Sequence, residues 1–521
     1  MIKTFIDKLL GKADGAKSRK PRFGKRVEVP ASVHGINPEL VDRRAVDVVR
    51  TLQEAGFEAY IVGGAVRDLL LGLRPKDFDV ATNATPEQVK GLFRRAFIIG
   101  KRFRIVHVVH GRGREHEVIE VSTFRAYLDN SAAEQVSGNE RTSKAQLSGM
   151  QHAVDASGRV LRDNVWGPQD QDAARRDFTV NAMYYDPETQ VVVDYHKGIE
   201  DAQKRVLRMI GDPATRYRED PVRIIRAVRF AAKLSSLGFA LEPKTGKPLV
   251  ASQHLLQEVP QSRLFDEMLK LLQTGHALAS VEQLQKLGLA KGIYPLLDVV
   301  VQRASNPLVR AVLQDTDRRV AEGKAVAPSF LLACVLWQDV KAGWEQRLAR
   351  GEHAFPALQD AIDEAFEQRI GDVSGRGKLA ADMREIWVMQ PRFDKRSGNQ
   401  PFSMVAHIRF RAGFDFFRLR ADVGEASEEL VEWWQEFSLT DDARREDMMA
   451  QVREEQRQAQ RAQQRKAQPV VHRLPKADGA EALPTPADDA VPAADAPRKR
   501  RRRRRKPGGG QGGASDAGQG D

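Results

Sequence analysis

The pattern of hydrophobic and polar positions changes character near residue 205. Before it, helical spacings alternate with short β-branched runs; after it, nearly every apolar cluster repeats with helical spacing. In the first part, residues 38–52 read as an amphipathic helix and 59–62 as a strand running into a helix after Gly64. Residues 77–80 read as a strand. The segment 85–93 opens with Thr-Pro, as a helix N-terminus does. Residues 103–110 and 115–123 read as strands joined through a Gly-Arg-Gly-Arg turn, a plausible hairpin. Residues 129–160, rich in Ser, Asn, Gln, Gly and Ala, read as a long mobile loop. Later helices are expected over 220–234, 262–274, 281–287, 330–337 and 427–437. A solvated helix is expected over 441–466, with disorder beyond about 467, where Ala, Pro, Asp and Gly dominate. No repeat of solenoid period is present. The expected organisation is an N-terminal appendage (1–35), an α/β head (36–205), a helical neck (206–275), a helical body and tail (276–440), and a polar linker ending in a basic run (441–521).

Within the appendage, Ile2, Phe5, Ile6, Leu9 and Leu10 share one helix face. Such a stripe either docks on the protein's own body or makes a peripheral membrane contact. No apolar run approaches the roughly 18 residues of a membrane span, and charges interrupt the N-terminus where a secretory signal needs an apolar core. The one cysteine, Cys334, lies inside an apolar run and reads as a buried small hydrophobe. One cysteine cannot build a disulfide framework, which fits a reducing compartment, and a cytoplasmic location is expected.

Charge changes the picture more. The formal net charge is +12, and Arg498, Lys499, Arg500, Arg501, Arg502, Arg503, Arg504, Arg505 and Lys506 alone carry nine, leaving +3 for everything else. The basic character is therefore mainly that of one tail, which reads as a tether for RNA or another polyanion, or as a solubilising run. RNA-decay or chaperone proteins are further candidate partners for it.

Four clusters carry candidate chemistry. Gly63-Gly64 follow a strand and open a helix, with Arg67 and Asp68 one turn in; free backbone N–H groups and a guanidinium can together hold a triphosphate. The Gly-Lys-Ser/Thr of a P-loop and the third glycine of a dinucleotide fingerprint are both missing. Asp77 and Asp79, spaced i, i+2, point to one face of a strand, and their hard oxygens suit Mg²⁺. Two metals about 3.5–4 Å apart require converging carboxylates, and Glu120, mid-strand among β-branched residues, is the candidate third ligand. Asp-x-Asp is also common in turns. Arg175, Arg176 and Asp177, followed by Asn181, pair phosphates or cap a helix. Asp220 and Arg223, at i, i+3, share a helix face that Arg226 and Arg229 extend, either as a reader of base edges or as a surface ion-pair ladder.

In this order, Gly-Gly-Ala-Val-Arg-Asp at 63–68, Asp-Phe-Asp at 77–79, Arg-Arg-Asp-Phe-Thr-Val-Asn-Ala at 175–182 and Glu-Asp-Pro-Val-Arg at 219–223 resemble the class II nucleotidyltransferases, the family of bacterial poly(A) polymerases and CCA-adding enzymes. The resemblance covers roughly residues 50–440. It implies a polymerase-beta-like palm with a mixed sheet, then all-α neck, body and tail. It implies that Asp77 and Asp79 bind two Mg²⁺, with Glu120 as a weaker third ligand, and that Gly63, Gly64, Arg67 and Asp68 hold the triphosphate. Arg176, Asp177 and Asn181 would lie beside the nucleotide, Asp177 near the ribose or supporting the carboxylates. Asp220 and Arg223, with Arg226, would read the base. The segment 98–108, the stretches 223–234 and 431–437 and the Arg-rich terminus resemble the polyadenylating branch, and the longer linker before the tail departs from it. The resemblance thus implies template-independent addition of AMP from ATP to RNA 3′ ends in RNA processing and decay, with Lys101, Arg102, Arg229 and the tail on the RNA, by a monomer. CCA addition to tRNA and a non-catalytic RNA-binding protein on the same scaffold are the alternatives.

Overall fold

The computed structural model describes residues 23–100, 104–111, 117–127, 134–135, 152–154, 160–163, 165–369 and 377–467. The apolar stripe at 2–10, Lys101 and Arg102, most of the segment 129–160 and the basic run 498–506 lie outside them. The chain divides into two compact units, 1–455 and 456–521; the architecture below belongs to the first.

The head is built on eight strands: β1 (Val27–Pro30), β2 (Ala59–Val62), β3 (Asp79–Thr82), β4 (Ala96–Ile99), β5 (Ile105–His110), β6 (Glu117–Thr123), β7 (Met183–Asp186) and β8 (Val191–Asp194). Their order across the sheet is β1-β8-β7-β2-β3-β6-β5-β4. Every neighbouring pair is antiparallel except β3 and β6, which run parallel with Asp79 opposite Glu120. Side chains alternate between two covered faces, as strands require. Ala59, Ile61, Val80 and Tyr185 pack with Val48, Val49 and Leu52 of helix α1 (Arg43–Glu54). Val62, Ala81, Tyr184 and Val193 form a smaller cluster with Phe124 and Ala173 on the other face. Helix α2 (Gly64–Leu70) follows β2 directly, and α3 (Pro86–Leu92) begins at a capping box in which Thr85 accepts from the Gln88 N–H at 3.3 Å.

Most expected elements appear within a few residues of their predicted bounds. The strand expected at 77 starts at Asp79, so Asp77 sits on the entering segment. The expected appendage reaches into the sheet, because β1 pairs along β8 as its edge strand. Within the expected loop 129–160, Glu134–Gln135, His152–Val154 and Val160–Asp163 form a three-stranded sheet. Strands of two to four residues are too short for alternation to stand out in sequence.

Beyond the head the described chain is helical apart from one parallel pair, Val206–Leu207 with Ala240–Leu241. Helix α5 (Val222–Ser235) and helix α6 (Gln261–Leu272) carry the neck. One core runs from Phe178 through Val228 and Met268 to Trp337 and Trp387. The expected helix at 330–337 extends over Pro328–Ala349, its buried first half continuing into a half-exposed amphipathic second half. Cys334 is fully buried, and burial pushes its thiol pKa up, as expected of a packing residue. A separate aromatic cluster closes the C-terminal end, where the Phe393 and Phe417 rings stack at 4.6 Å and Trp434 donates to the Phe393 carbonyl at 2.9 Å. Among the described residues no helix is long and apolar enough to cross a membrane.

One close approach bears on the site. A Cβ at Gly198 would lie 2.4 Å from the Thr179 carbonyl oxygen and 2.8 Å from Met183 Cγ. Thr179 begins the 3₁₀ turn Thr179–Asn181, which carries Asn181. Gly198→Ala is therefore expected to destabilise the head by about 2 kcal/mol through overpacking, measured as a lower denaturation midpoint in urea.

Candidate active site

The four clusters meet in one cavity of about 580 Å³. Its wall includes Gly63, Gly64, Arg67 and Asp68 from the β2–α2 junction, Asp77 and Asp79 at the start of β3, and Ser122 and Thr123 from β6. Arg175, Arg176, Asp177 and Asn181 contribute from the segment that follows helix α4 (Gln169–Arg175), and Asp220, Arg223, Arg226 and Arg229 from the neck. Ten basic and seven acidic side chains line it, so the wall favours an anion overall while keeping one acidic corner.

That corner is Asp77 and Asp79. Phe78 between them is buried in the head core, which turns both acids away from it. The pKa of Asp79 is pushed up to about 6, first by burial and then by the charge of Glu120, with Asp77 adding to the rise and Arg176 opposing it. Its carboxylate is crowded by protein yet exposed on its open side. Crowded carboxylates with oxygen-only donors fit a hard divalent cation, which relieves their repulsion. Glu120 lies beside Asp79 on the parallel strand, is exposed, and holds its Oε1 3.3 Å from His107 Nε2. It does not line the cavity. Among the described residues no group of three or more acidic, His or Cys side chains is close enough to hold a metal.

The basic side is built from struts. Arg176 is held by Asp172, one turn earlier on α4, through Nε at 3.2 Å and Nη2 at 3.0 Å, and its guanidinium lies 5.2 Å from the Tyr184 ring centre. Burial opposes the charge of Asp172, but Arg176 and the Tyr184 hydroxyl hold its carboxyl below the usual range. Gly63 adopts φ 74°, which suits glycine, and a Cβ there would lie 3.9 Å from an Arg176 Nη and 3.8 Å from Asp79 Oδ2. Arg176 thus stands between the glycine turn and the acidic corner. Arg67 is buried and spent within the protein: it donates to Asp68 Oδ1 at 2.7 and 2.9 Å and to Asn181 Oδ1 at 2.9 Å. It fixes the turn relative to Asn181 instead of extending toward a ligand.

Asp177 faces the neck. Its Oδ2 accepts from Arg226 at 2.9 and 2.5 Å, and its Oδ1 accepts from the Phe178 N–H at 2.8 Å and from Asn181 at 3.4 Å. Burial alone would raise its pKa; the Arg226 charge and these hydrogen bonds outweigh it and bring the carboxyl to about 2. Arg223 donates to the carbonyls of Arg216 and Arg175 at 2.9 and 3.3 Å and to Glu219 at 3.1 Å. Asp220 accepts from Arg263 of α6 at 2.9 Å.

Arg263 and Glu267, one turn apart on α6, and Asp172 all belong to this site and were not singled out from the sequence. The i, i+4 spacing of Asp172 and Arg176 was a readable signal. So was the i, i+4 pair of opposite charges at 263 and 267.

The family model of the poly A polymerase head domain matches residues 59–208, that of a probable RNA and SrmB- binding site of polymerase A matches 238–300, and that of the polymerase A arginine-rich C-terminus matches 350–468. Poly(A) polymerase I of Haemophilus influenzae is 39% identical over 453 residues, 86% of this chain and 95% of that one. A CCA-adding enzyme of Streptococcus pneumoniae is 39% identical over only 230 residues, 44% of this chain and 50% of that one. The crystal structure of the Bacillus stearothermophilus CCA-adding enzyme in complex with CTP shares the fold, with a TM-score of 0.50 and 25% identity over 75% of this chain and 81% of that one.

The Asp177–Arg226 pair yields a stability prediction. A depressed folded-state pKa contributes stability that is present above the ordinary aspartate value near 4 and lost as pH falls toward 2. Arg226→Met leaves a buried carboxylate without its cation. Because Arg226 is about one-third exposed, the expected cost at pH 7 is about 2 kcal/mol, below that of a fully buried pair. Denaturation series from pH 7 to pH 2 are expected to show the gap between variant and parent narrowing below pH 4.

Matched across its head, neck and C-terminal regions by polymerase A models, and along most of its length by a full-length relative, the chain belongs to the bacterial poly(A) polymerase family.

Proposed function

We propose that this cavity is where the chain transfers AMP from ATP to an RNA 3′-hydroxyl, without a template, releasing pyrophosphate. The observation that carries the reading is the meeting of four distant segments around one acidic corner with a basic wall. Asp77 and Asp79 would hold Mg²⁺, with Glu120 at the edge of the set. Bound there, the metal supplies an activated hydroxyl nucleophile and a neutralised leaving group.

The protein's own side chains position the reactants. Arg176, rigidly held by Asp172, points its charge at the space beside Gly63 where phosphates can approach the backbone closely. A fixed guanidinium stabilises charge that grows on the phosphates without reorganising first. Arg67, Asp68 and Asn181 keep the glycine turn in place. Asp177 holds Arg226 at the neck wall, and Asp220 with Arg223 supplies an acceptor and a donor for a base edge. Residues 36–205 serve as the nucleotidyl-transfer head, 206–275 as the neck that frames the base, and 276–440 as the helical support. The match of 238–300 to a probable RNA-binding site supports RNA contact in the neck region. Arg229 and the run 498–506 add sequence-blind electrostatic contacts that suit an acceptor of any sequence.

Asp77→Ala and Asp79→Ala are each expected to abolish transfer while leaving the thermal unfolding midpoint within about 2 °C of the parent, since both residues are solvent-exposed and removing either relieves repulsion within the acidic corner. Near-normal turnover in either variant excludes this metal site. With Mg²⁺ and each NTP supplied separately, a long product ladder is expected with ATP on a generic RNA. Short additions confined to a tRNA lacking its CCA end, and requiring CTP, would instead assign CCA addition. Deleting residues 498–506 is expected to weaken RNA binding and flatten its dependence on salt, with single-turnover chemistry at saturating RNA unchanged. An unaltered salt slope counts against the tether.

A further inference from the structure

Two charged groups in the cavity wall stand apart from the struts described above. Glu267 is 6% exposed and lies one turn beyond Arg263 on α6. Its Oε1 accepts from Lys270 at 3.2 Å, whereas its Oε2 is closed to solvent and accepts no hydrogen bond from any described residue. On α5, the Arg229 guanidinium lies 4.6 Å from the Phe230 ring centre, and its Nε is likewise closed to solvent without an acceptor among the described residues. The two groups are near enough for the charge of Glu267 to act on Arg229. Both line the nucleotide cavity, as does Phe230. A buried carboxylate oxygen and a buried N–H left without partners are costly, and a ligand offering a donor beside an acceptor would satisfy both once the two side chains turn these atoms into the cavity they line.

We propose that Glu267 and Arg229 form a second acceptor–donor pair that reads the adenine base, acting with Asp220 and Arg223 so that the base is read on two edges. The inference rests on the reading of the cavity as an ATP site. The 6-amino group of adenine has two N–H bonds, one beside the N1 acceptor and one beside the N7 acceptor. A carboxylate accepts from the amino group while a guanidinium donates to the neighbouring ring nitrogen, so each edge takes one acid–arginine pair. Cytosine offers this arrangement on one edge only, because its other neighbour is a C–H. Guanine and uracil turn a carbonyl oxygen toward the carboxylates. Two pairs therefore select adenine against all three competitors with no template present.

The test compares kcat/KM for ATP, 1-deaza-ATP, 7-deaza-ATP and CTP on a generic RNA, using the full chain with Mg²⁺. The parent is expected to lose about 10-fold or more on each deaza analogue, the scale of a lost hydrogen bond to a charged group. In Arg229→Met, one of the two deaza penalties is expected to shrink to about 2-fold while the other persists, and in both Arg229→Met and Glu267→Gln the ATP-to-CTP ratio is expected to fall by about 10-fold. Melting temperatures without nucleotide establish that each variant is folded. Arg229→Lys, which keeps the charge but loses the directed Nε–H, gives the same readout should Arg229→Met not fold. Folded variants that keep both deaza penalties and the parent's ATP-to-CTP ratio overturn the proposal. A parent that adds no AMP at all overturns the underlying functional reading, a failure the variants do not share.

Discussion

The site depends on a clamp. The short segment 175–177 is gripped by arginines from two neck elements: Arg216 donates to the carbonyls of Arg175 and Arg176 at 2.7 and 2.8 Å, Arg223 to that of Arg175, and Arg226 to the Asp177 carboxylate. Charge-assisted bonds of this kind are the strong ones, and here they replace the regular ladder that the chain leaves when α4 ends at Arg175. Arg176 emerges from the clamp toward Gly63 and Asp79, and Asn181 from the turn just beyond it. Loosening the clamp would move Arg176 and the neck wall of the cavity together.

This arrangement recasts what cationic side chains do in such a cavity. Most of the arginines that line it are already bonded to an acid or to a carbonyl, so they shape the wall and hold one another's partners in place. Preorganisation of this sort suits phosphoryl chemistry, where catalysis consists mainly of positioning and electrostatic stabilisation. The crowding of Asp79 by burial and by Glu120 is the complementary feature: it makes the acidic corner uncomfortable alone and receptive to a cation.

Local signals carried much of this into the sequence. The strand Ala59–Val62, the Thr85 cap and the i, i+2 pair Asp77 and Asp79 depend on neighbours a few residues away, and each was readable there. Arg223, Arg226 and Arg229 were equally visible as a helix face, whereas Asp220, expected on the same face, sits in extended backbone between the helices Pro213–Glu219 and Val222–Ser235, as the residue before Pro221. What the pattern hid depends on distant partners. Val27–Pro30 is a strand only because Val191–Asp194 lies alongside it, and Glu267 becomes part of the site only because α6 packs against α5. Arg67 shows a subtler limit: its place beside the glycine turn was legible, but its capture by Asn181 was set 114 residues away.

On the proposed function, one cavity holds both the metal at Asp77 and Asp79 and the base against the neck. The most direct measurement is a crystal structure of the protein with Mn²⁺ and a non-hydrolysable ATP analogue, with anomalous scattering used to locate the metal. Anomalous peaks are expected at the Asp77 and Asp79 carboxylates, triphosphate between Gly63 and Arg176, and the adenine against α5 and α6. Metal bound away from these two aspartates, or a nucleotide seated outside the cavity, would contradict it.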